Sequence, residues 1–254
     1  MQEQVIGIMG AMPEEIDGVI LLLENPIEST IGKRTYVSGT INDIATVVVF
    51  SRWGKVAAAA TVSTLIHKFN ITHLLFTGVA GAVHPDLNIG DIVIAKRLVQ
   101  HDMDARPLME RHEIPLLGKT FFDSDAMLLD VTSTAVSEII ARNVLHERIG
   151  ESELRHFSIA DPKMILGDIG SGDQFFAQHE QKENLHSRLP TILCVEMEGA
   201  AVAQVCYEND MPFSIIRTIS DTADDNSHID FPAFITNIAS KYAVEIISTI
   251  YRLL

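Results

Sequence analysis

Basic residues are scarce in this chain: 19 Lys and Arg stand against 34 Asp and Glu in 254 residues, a formal charge of −15. Nucleic acid and anionic membranes are held by basic surfaces, so this balance argues against both as partners and favours a small neutral or cationic ligand. Cysteine is scarcer still. Cys194 and Cys206 both lie in apolar segments, and the N-terminus has neither a charged-then-apolar leader nor a long uninterrupted apolar span, so a reduced, cytoplasmic protein is expected. The ten histidines have no paired ligand spacing; His101-Asp102-Met103-Asp104 comes nearest to a metal cluster, and no metal is expected. Repeats, linkers and low-complexity stretches are also absent.

What is present is a chain 47% hydrophobic and 21% charged, enough for one α/β domain over residues 1–254 with a well-buried core. Its most informative stretch is Cys194-Val195-Glu196-Met197-Glu198-Gly199-Ala200-Ala201. An apolar strand over 191–195 turns there into a small-residue helix over 200–206. In an extended backbone, residues two apart project to the same side, so Glu196 and Glu198 are expected to face one cavity and Met197 to face away. A second apolar strand, 212–221, runs into Ser220-Asp221 and then Thr222-Ala223-Asp224-Asp225. A right-handed crossover between the two would bring Glu198 and Asp221 to neighbouring strand ends. Helix capping and dipole placement account equally well for either acid taken alone.

Upstream, Gln4-Val5-Ile6-Gly7-Ile8-Met9 reads as a buried strand that passes through Gly10-Ala11-Met12 into a helix, with Pro13 suited to the first turn. Gly7-x-x-Gly10 lacks the dinucleotide spacing, and Glu14 and Glu15 would repel an anion there. Those acids stabilise the helix dipole, or offer a carboxylate to a water. Residues 33–39 and 44–50 form an expected antiparallel pair around Asn42-Asp43. Ser51-Arg52-Trp53-Gly54-Lys55-Val56 leads into an alanine-rich helix over 57–69, with the only tryptophan in the loop. Strands follow at 73–77, 91–95 and 163–170, with an amphipathic helix over 128–140, a polar connection to His156, and one long helix over 231–254. Residues 105–122 read as an irregular but apolar loop that must be covered, by a second subunit or as a lid. Phe175 and Phe176, after the strand at 163–170, offer a face for stacking or pack in the core.

Acids at three strand ends (Glu15, Glu198, Asp221) and aromatics at a fourth, without a serine elbow, a catalytic cysteine or a phosphate loop, suit a nucleoside. Breaking its glycosidic bond passes through an oxocarbenium-like state. That state needs an acid for the leaving group, a carboxylate to position water, and a third to hold ribose hydroxyls.

Val195-Glu196-Met197-Glu198, Ser220-Asp221, Gly10-Ala11-Met12 with Glu15, Thr77-Gly78 with Ala80-Gly81, Gly90-Asp91-Ile92-Val93 and Ser171-Gly172-Asp173-Gln174-Phe175 resemble, in order and spacing, the 5'-methylthioadenosine/S-adenosylhomocysteine nucleosidases of the purine nucleoside phosphorylase superfamily. The resemblance spans nearly the whole chain. It implies a three-layer α/β sandwich around a mixed central sheet, a homodimer, no cofactor or metal, and hydrolysis to adenine and a thioribose in methionine salvage. By motif, Asp221 would protonate purine N7, next to Ser220. Glu15 would activate water, with Arg217 and Val79 nearby. Met197 and Glu198 would hold the ribose, Phe175 would stack on adenine and the Phe176 backbone would bond its edge. Met12, Trp53, Ala105, Leu108 and Phe231 would line the 5'-thio pocket, with part of the 114–117 loop entering from the partner subunit.

Two positions depart from the commonest family pattern: Trp53 replaces a small aliphatic residue, and Val79 stands where many members have serine. Some members of the family it resembles that carry the Gly-Val-Ala-Gly and Gln-His-Asp variants also act on 6-amino-6-deoxyfutalosine, a menaquinone precursor. That activity, purine nucleoside phosphorolysis, and non-catalytic binding of an adenosine-type nucleoside are the alternatives. Phosphorolysis is disfavoured because Glu15 would occupy the anion's place. A mere sensor is disfavoured because burying several acids is costly.

Overall fold

The computed structural model describes residues 4–222 and 231–254; the Ala223-Asp224-Asp225 run lies outside them. In chain order its strands are β1 (Val5–Gly10), β2 (Glu24–Ile31), β3 (Arg34–Ile41), β4 (Ile44–Phe50), β5 (His73–Ala82), β6 (Ile92–Gln100), β7 (Phe122–Asp123), β8 (Met164–Ser171), β9 (Ile192–Glu196) and β10 (Phe213–Asp221). The helices are α1 (Pro13–Ile20), α2 (Lys55–Phe69), α3 (Ala126–Ala141), α4 (Val144–Ile149), α5 (Glu151–His156), α6 (His179–Arg188), α7 (Gly199–Glu208), α8 (Phe231–Phe234) and α9 (Ser240–Leu253).

The strands form one mixed sheet in the order β10-β6-β8-β9-β5-β1-β4-β3-β2, which closes on itself because β10 also pairs with β5. β4, β1, β5 and β10 run parallel to one another. β6, β8 and β9 also run parallel to one another, but opposite to the first set. The runs of Val, Ile and Leu in β1, β4, β5 and β10 reflect burial on both faces. One face packs Ile6, Ile8 and Val48 against Ile16, Val19, Val136, Ile139, Ile246 and Ile250 of α1, α3 and α9. The other packs Met9, Val47, Val49 and Phe76 against Ala58, Val62, Leu65, Ala200, Ala203 and Cys206 of α2 and α7. The expected three-layer sandwich is therefore the observed architecture.

The expected β3–β4 hairpin turns through Asn42 and Asp43, both at positive φ (49° and 63°), the backbone a two-residue turn requires. Several elements differ from expectation. β2 escapes the alternation test because it is an exposed edge strand, with Pro26 inside a register shift between Glu24 and Ile27, where proline removes no ladder bond. The connection before His156 forms α4 and α5, which bury Leu145, Ile149 and Leu154. The helix expected over 231–254 is interrupted by a π-helical turn at Ile235–Ala239. Its wider turn shifts the angular register between Phe231 and the core-facing residues of α9.

The crossover expectation also needs correction. β9 and β10 are not neighbours: β5 lies between them, parallel to β10 and antiparallel to β9. Glu198 and Asp221 meet because β5 pairs with both near its end, at Gly81 with Val195 and with Asp221.

Candidate active site

β1, β5, β8, β9 and β10 end around one cleft of about 590 Å³, counting its open mouth. Glu15, Glu198 and Asp221, remote in sequence, all line it, with Met12, Trp53, Val79, Phe175, Phe176, Met197, Ser220 and Phe231. All three acids are buried, at 2%, 5% and 6% exposure.

Glu15 occupies the third position of α1 and reaches back over its own N-terminus. Its Oε2 accepts the N–H groups of Ala11 at 2.6 Å and Met12 at 3.1 Å, and its Oε1 accepts that of Val79 at 3.3 Å. The capping reading and the cleft placement thus hold together, since the carboxylate that satisfies orphan helix donors also faces the cavity. Gly78 makes this possible. A Cβ there would meet Glu15 Oε1 at 2.9 Å and Arg217 Nη1 at 3.2 Å. Burial raises the Glu15 pKa, opposed by the Arg217 charge and by the backbone donors of Ala11, Met12 and Val79.

Arg217 does not line the cleft; it lies beneath it, 1% exposed. Its Nη2 donates to Glu196 Oε2 at 2.7 Å and its Nη1 to the Ile216 carbonyl at 3.2 Å, while the guanidinium lies 4.1 Å from the centroid of the Phe76 ring. Burial works against its charge, yet Glu196, Glu15 and Glu198 together hold its pKa above the usual value.

Alternation does not extend past the strand end. β9 stops at Glu196, and Glu198 adopts φ −133°, ψ −42° as the N-cap of α7. Glu196, Met197 and Glu198 consequently all line the cleft, and Met197 does not face away. Glu198 Oε1 accepts the Gly54 N–H at 2.8 Å, a backbone contact from the loop before α2 that side-chain patterns do not reveal. Burial, then the neighbouring Glu196 charge, pushes the Glu198 pKa up to about 8, with the Gly54 donor and Arg217 opposing. Asp221 Oδ2 accepts the Ser220 hydroxyl at 2.7 Å.

The two phenylalanines divide the possibilities between them. Phe175 is 42% exposed and meets Phe231 edge-on at 5.8 Å between ring centroids, whereas Phe176 is 6% exposed and packs edge-on against His101 at 5.2 Å. Trp53 stands at the mouth, 59% exposed. Its loop is tied to the aromatic loop through Asp173, whose Oδ1 accepts the Lys55 N–H at 2.8 Å, and through Asp102, whose Oδ1 takes Lys55 Nζ at 2.6 Å and whose Oδ2 takes the Asp173 N–H at 3.0 Å.

Ala105 and Leu108 are not brought to this chain's own cleft. They sit on the 105–122 loop, where Leu108 is 88% and Leu116 94% exposed. Among the described residues no group of three His, Cys, Asp or Glu is placed to hold a metal. His101, Asp102 and Asp104 are engaged separately: His101 is buried, its pKa lowered to about 4 mainly by desolvation, Asp102 pairs with Lys55, and Asp104 with Arg106. No helix among the described residues is long and apolar enough to cross a membrane.

Residues 5–252 match the family model described as the Phosphorylase superfamily. The chain is 33% identical over 250 residues to a 5'-methylthioadenosine/S-adenosylhomocysteine nucleosidase of Shewanella frigidimarina, covering 98% of this chain and 99% of the relative. It is 34% identical over 241 residues to an aminodeoxyfutalosine nucleosidase of Helicobacter pylori, covering 94% and 95%. Its fold superposes on that of a methylthioadenosine/S-adenosylhomocysteine nucleosidase of Streptococcus pneumoniae, solved with a transition-state inhibitor, at a TM-score of 0.84 and 31% identity, over 99% of this chain and 100% of the other.

Proposed function

The chain belongs to the phosphorylase superfamily, and from that premise we propose that it is an N-glycosyl hydrolase acting on 5'-methylthioadenosine and S-adenosylhomocysteine. It releases adenine and a 5-thioribose product, as a single domain over residues 1–254. The observation that carries this reading is the convergence of Glu15, Glu198 and Asp221 on one cleft with an aromatic wall.

In this mechanism Asp221, oriented by Ser220, gives a proton to purine N7 and makes adenine a neutral leaving group. Glu15 takes the proton of a water held near Val79, and Arg217 beneath it favours the ionised carboxylate that a base requires. Met197 and Glu198 hold the ribose. As positive charge grows on the sugar, the ionised form of Glu198 is favoured, so its attraction strengthens along the reaction path. Phe175 stacks on the adenine, and the Phe176 backbone bonds its edge. Met12, Trp53 and Phe231 enclose the 5' substituent.

Phosphate in place of water would have to approach Glu15 and Glu198, and the nearest buried cation, Arg217, is already bonded to Glu196. That charge pattern favours hydrolysis. Ala105, Leu108 and the 114–117 segment are assigned to closure of the 5' end of a second copy's cleft, which makes the enzyme a homodimer. The exposure of Leu108 and Leu116 supports that assignment. We place it in the cytoplasm, a reading supported by two free, buried cysteines, Cys194 and Cys206. Aminodeoxyfutalosine is the second reading, supported by the Helicobacter pylori relative.

Purified protein incubated with methylthioadenosine in phosphate-free buffer should release free adenine at a rate that added phosphate does not raise. Strict phosphate dependence would reassign it as a phosphorylase, and tight binding without release as a nucleoside sensor. Comparing turnover of methylthioadenosine, S-adenosylhomocysteine and aminodeoxyfutalosine ranks the substrates.

A further inference from the structure

Glu196 has no part in the mechanism above, yet both of its carboxylate oxygens are engaged. Its Oε2 accepts from Arg217 Nη2 at 2.7 Å, the Gly199 N–H at 2.8 Å and the Glu198 N–H at 3.2 Å. Its Oε1 accepts the Gly199 N–H at 3.0 Å and a short hydrogen bond from the Ser171 hydroxyl, and that hydroxyl in turn accepts the Ala200 N–H at 2.7 Å. One carboxylate thus joins the ends of β8 and β9 and the middle of β10 to the first turn of α7.

A helix start needs only a hydroxyl or an amide to satisfy its free N–H groups. A buried carboxylate pair with arginine is a costlier solution, because desolvating two charges offsets most of their attraction. The geometry gives the charge a second use. Arg217 lies between two acids: Glu196 holds Nη2, while Nη1 and Glu15 Oε1 converge on the space beside Gly78. The same carboxylate fixes the backbone of the bend that aims Met197 and Glu198 into the cleft.

We propose that Glu196 is a positioning residue for the hydrolysis, dividing the charge of Arg217 between itself and Glu15 while holding Glu198 toward the ribose. This rests on the nucleosidase reading. The titratable and charged groups around Glu196 are Arg217 from β10, Glu198 from the bend, Cys194 from β9 and His101 from the end of β6, with Glu15 from α1 on the far side of Arg217 and Asp221 from the end of β10 lining the same cleft. Cys194 stays neutral, because burial and then Glu196 push its thiol pKa up. His101 is neutral above about pH 4 for want of solvent. Glu15 and Glu198 should both titrate lower once Glu196 is neutral, since Arg217 is then undivided and a repelling charge is gone.

The test is Glu196→Gln, which removes the charge and keeps the acceptor, with Glu196→Asp as the variant that keeps the charge. For Glu196→Gln, kcat should fall about 10²-fold, the order expected for small misplacement of reacting groups, and the acid limb of kcat/KM should move to lower pH. Glu196→Asp should recover part of the rate and lie between the two in pH profile. Carboxyl ¹³C NMR titration of Glu15 and Glu198 in wild type and both variants reads the same coupling without turnover, and both should shift down in Glu196→Gln. Unchanged rate and titration would overturn the proposal, as would a loss uniform across pH with unchanged carboxyl titration, which marks a plain helix cap. If Glu196→Gln fails to fold, Glu196→Asp decides by the same limb and signals. Wild-type protein that releases no adenine would sink the nucleosidase reading, and the NMR titration would still decide the role of Glu196.

Discussion

Glu198→Gln should stabilise the protein, and by more as the pH rises. In the folded chain the Glu198 carboxyl is lifted from 4.5 to about 8 by burial and by the Glu196 charge. The folded state therefore binds its proton more tightly than the unfolded state throughout that interval. Here the sign is the reverse of a salt-bridged acid: protonated Glu198 is at no disadvantage below about pH 4.5, and stability is lost as pH rises toward the folded value. Each pH unit in the window costs at most about 1.4 kcal/mol, and sharing of the proton with neighbouring acids reduces the total to a few kcal/mol. Glutamine keeps an acceptor for the Gly54 N–H and has no charge to desolvate. The assay is urea unfolding of wild type and Glu198→Gln at pH 5, 6, 7 and 8 at fixed ionic strength, taking the difference between the two so that other titrating groups cancel. The difference should be small at pH 5 and favour the variant by a few kcal/mol at pH 8. A difference that is flat or that shrinks with pH would refute the burial argument. The same variant should lose activity, because gain in stability from removing a strained functional charge commonly comes with loss of function.

Asp221→Asn should lower kcat by about 10² to 10⁴-fold, the contribution of general acid catalysis, while circular dichroism and unfolding midpoint stay near wild type; near-normal turnover would remove Asp221 from its role. Glu15→Gln should lose hydrolysis by a similar factor yet bind methylthioadenosine in calorimetry, and failure to bind would leave only its capping role. Gly78→Ala should displace Glu15, whose Oε1 lies 2.9 Å from the new Cβ, and reduce kcat about 10²-fold with unchanged fold by circular dichroism. Leu116→Asp, placed on a residue 94% exposed in the single chain, should shift the protein from dimer to monomer in light scattering, and an unaltered mass would remove the loop from the interface.

The segments expected as β1, β3, β4, β5, β8 and β10 were legible because apolar runs bounded by turn residues are local signals, and so were α2 and α3. β2 and α6 were not. The first is an exposed edge interrupted by Pro26, and the second buries only Leu185 of its ten residues. The residues Glu15, Glu198 and Asp221 stood out as acids following apolar strands, but no local pattern distinguished Glu196 from Glu198. Two residues apart, they were expected on one face; the chain turns between them, and one goes to Arg217 while the other goes to Gly54.

By itself, the sequence determined that an acidic chain with these strand ends builds a mixed α/β sheet and carries carboxylates and aromatics at its edge, because alternation, turn chemistry and charge are properties of neighbours along the backbone. The tertiary structure alone decided that β5 separates β9 from β10, that Glu15 lies above Arg217 across Gly78, that Gly54 supplies a donor to Glu198, and that Leu108 lies away from its own cleft. Those facts depend on which strands pair and which side chains lose water together, and such pairings join residues that no window of sequence contains.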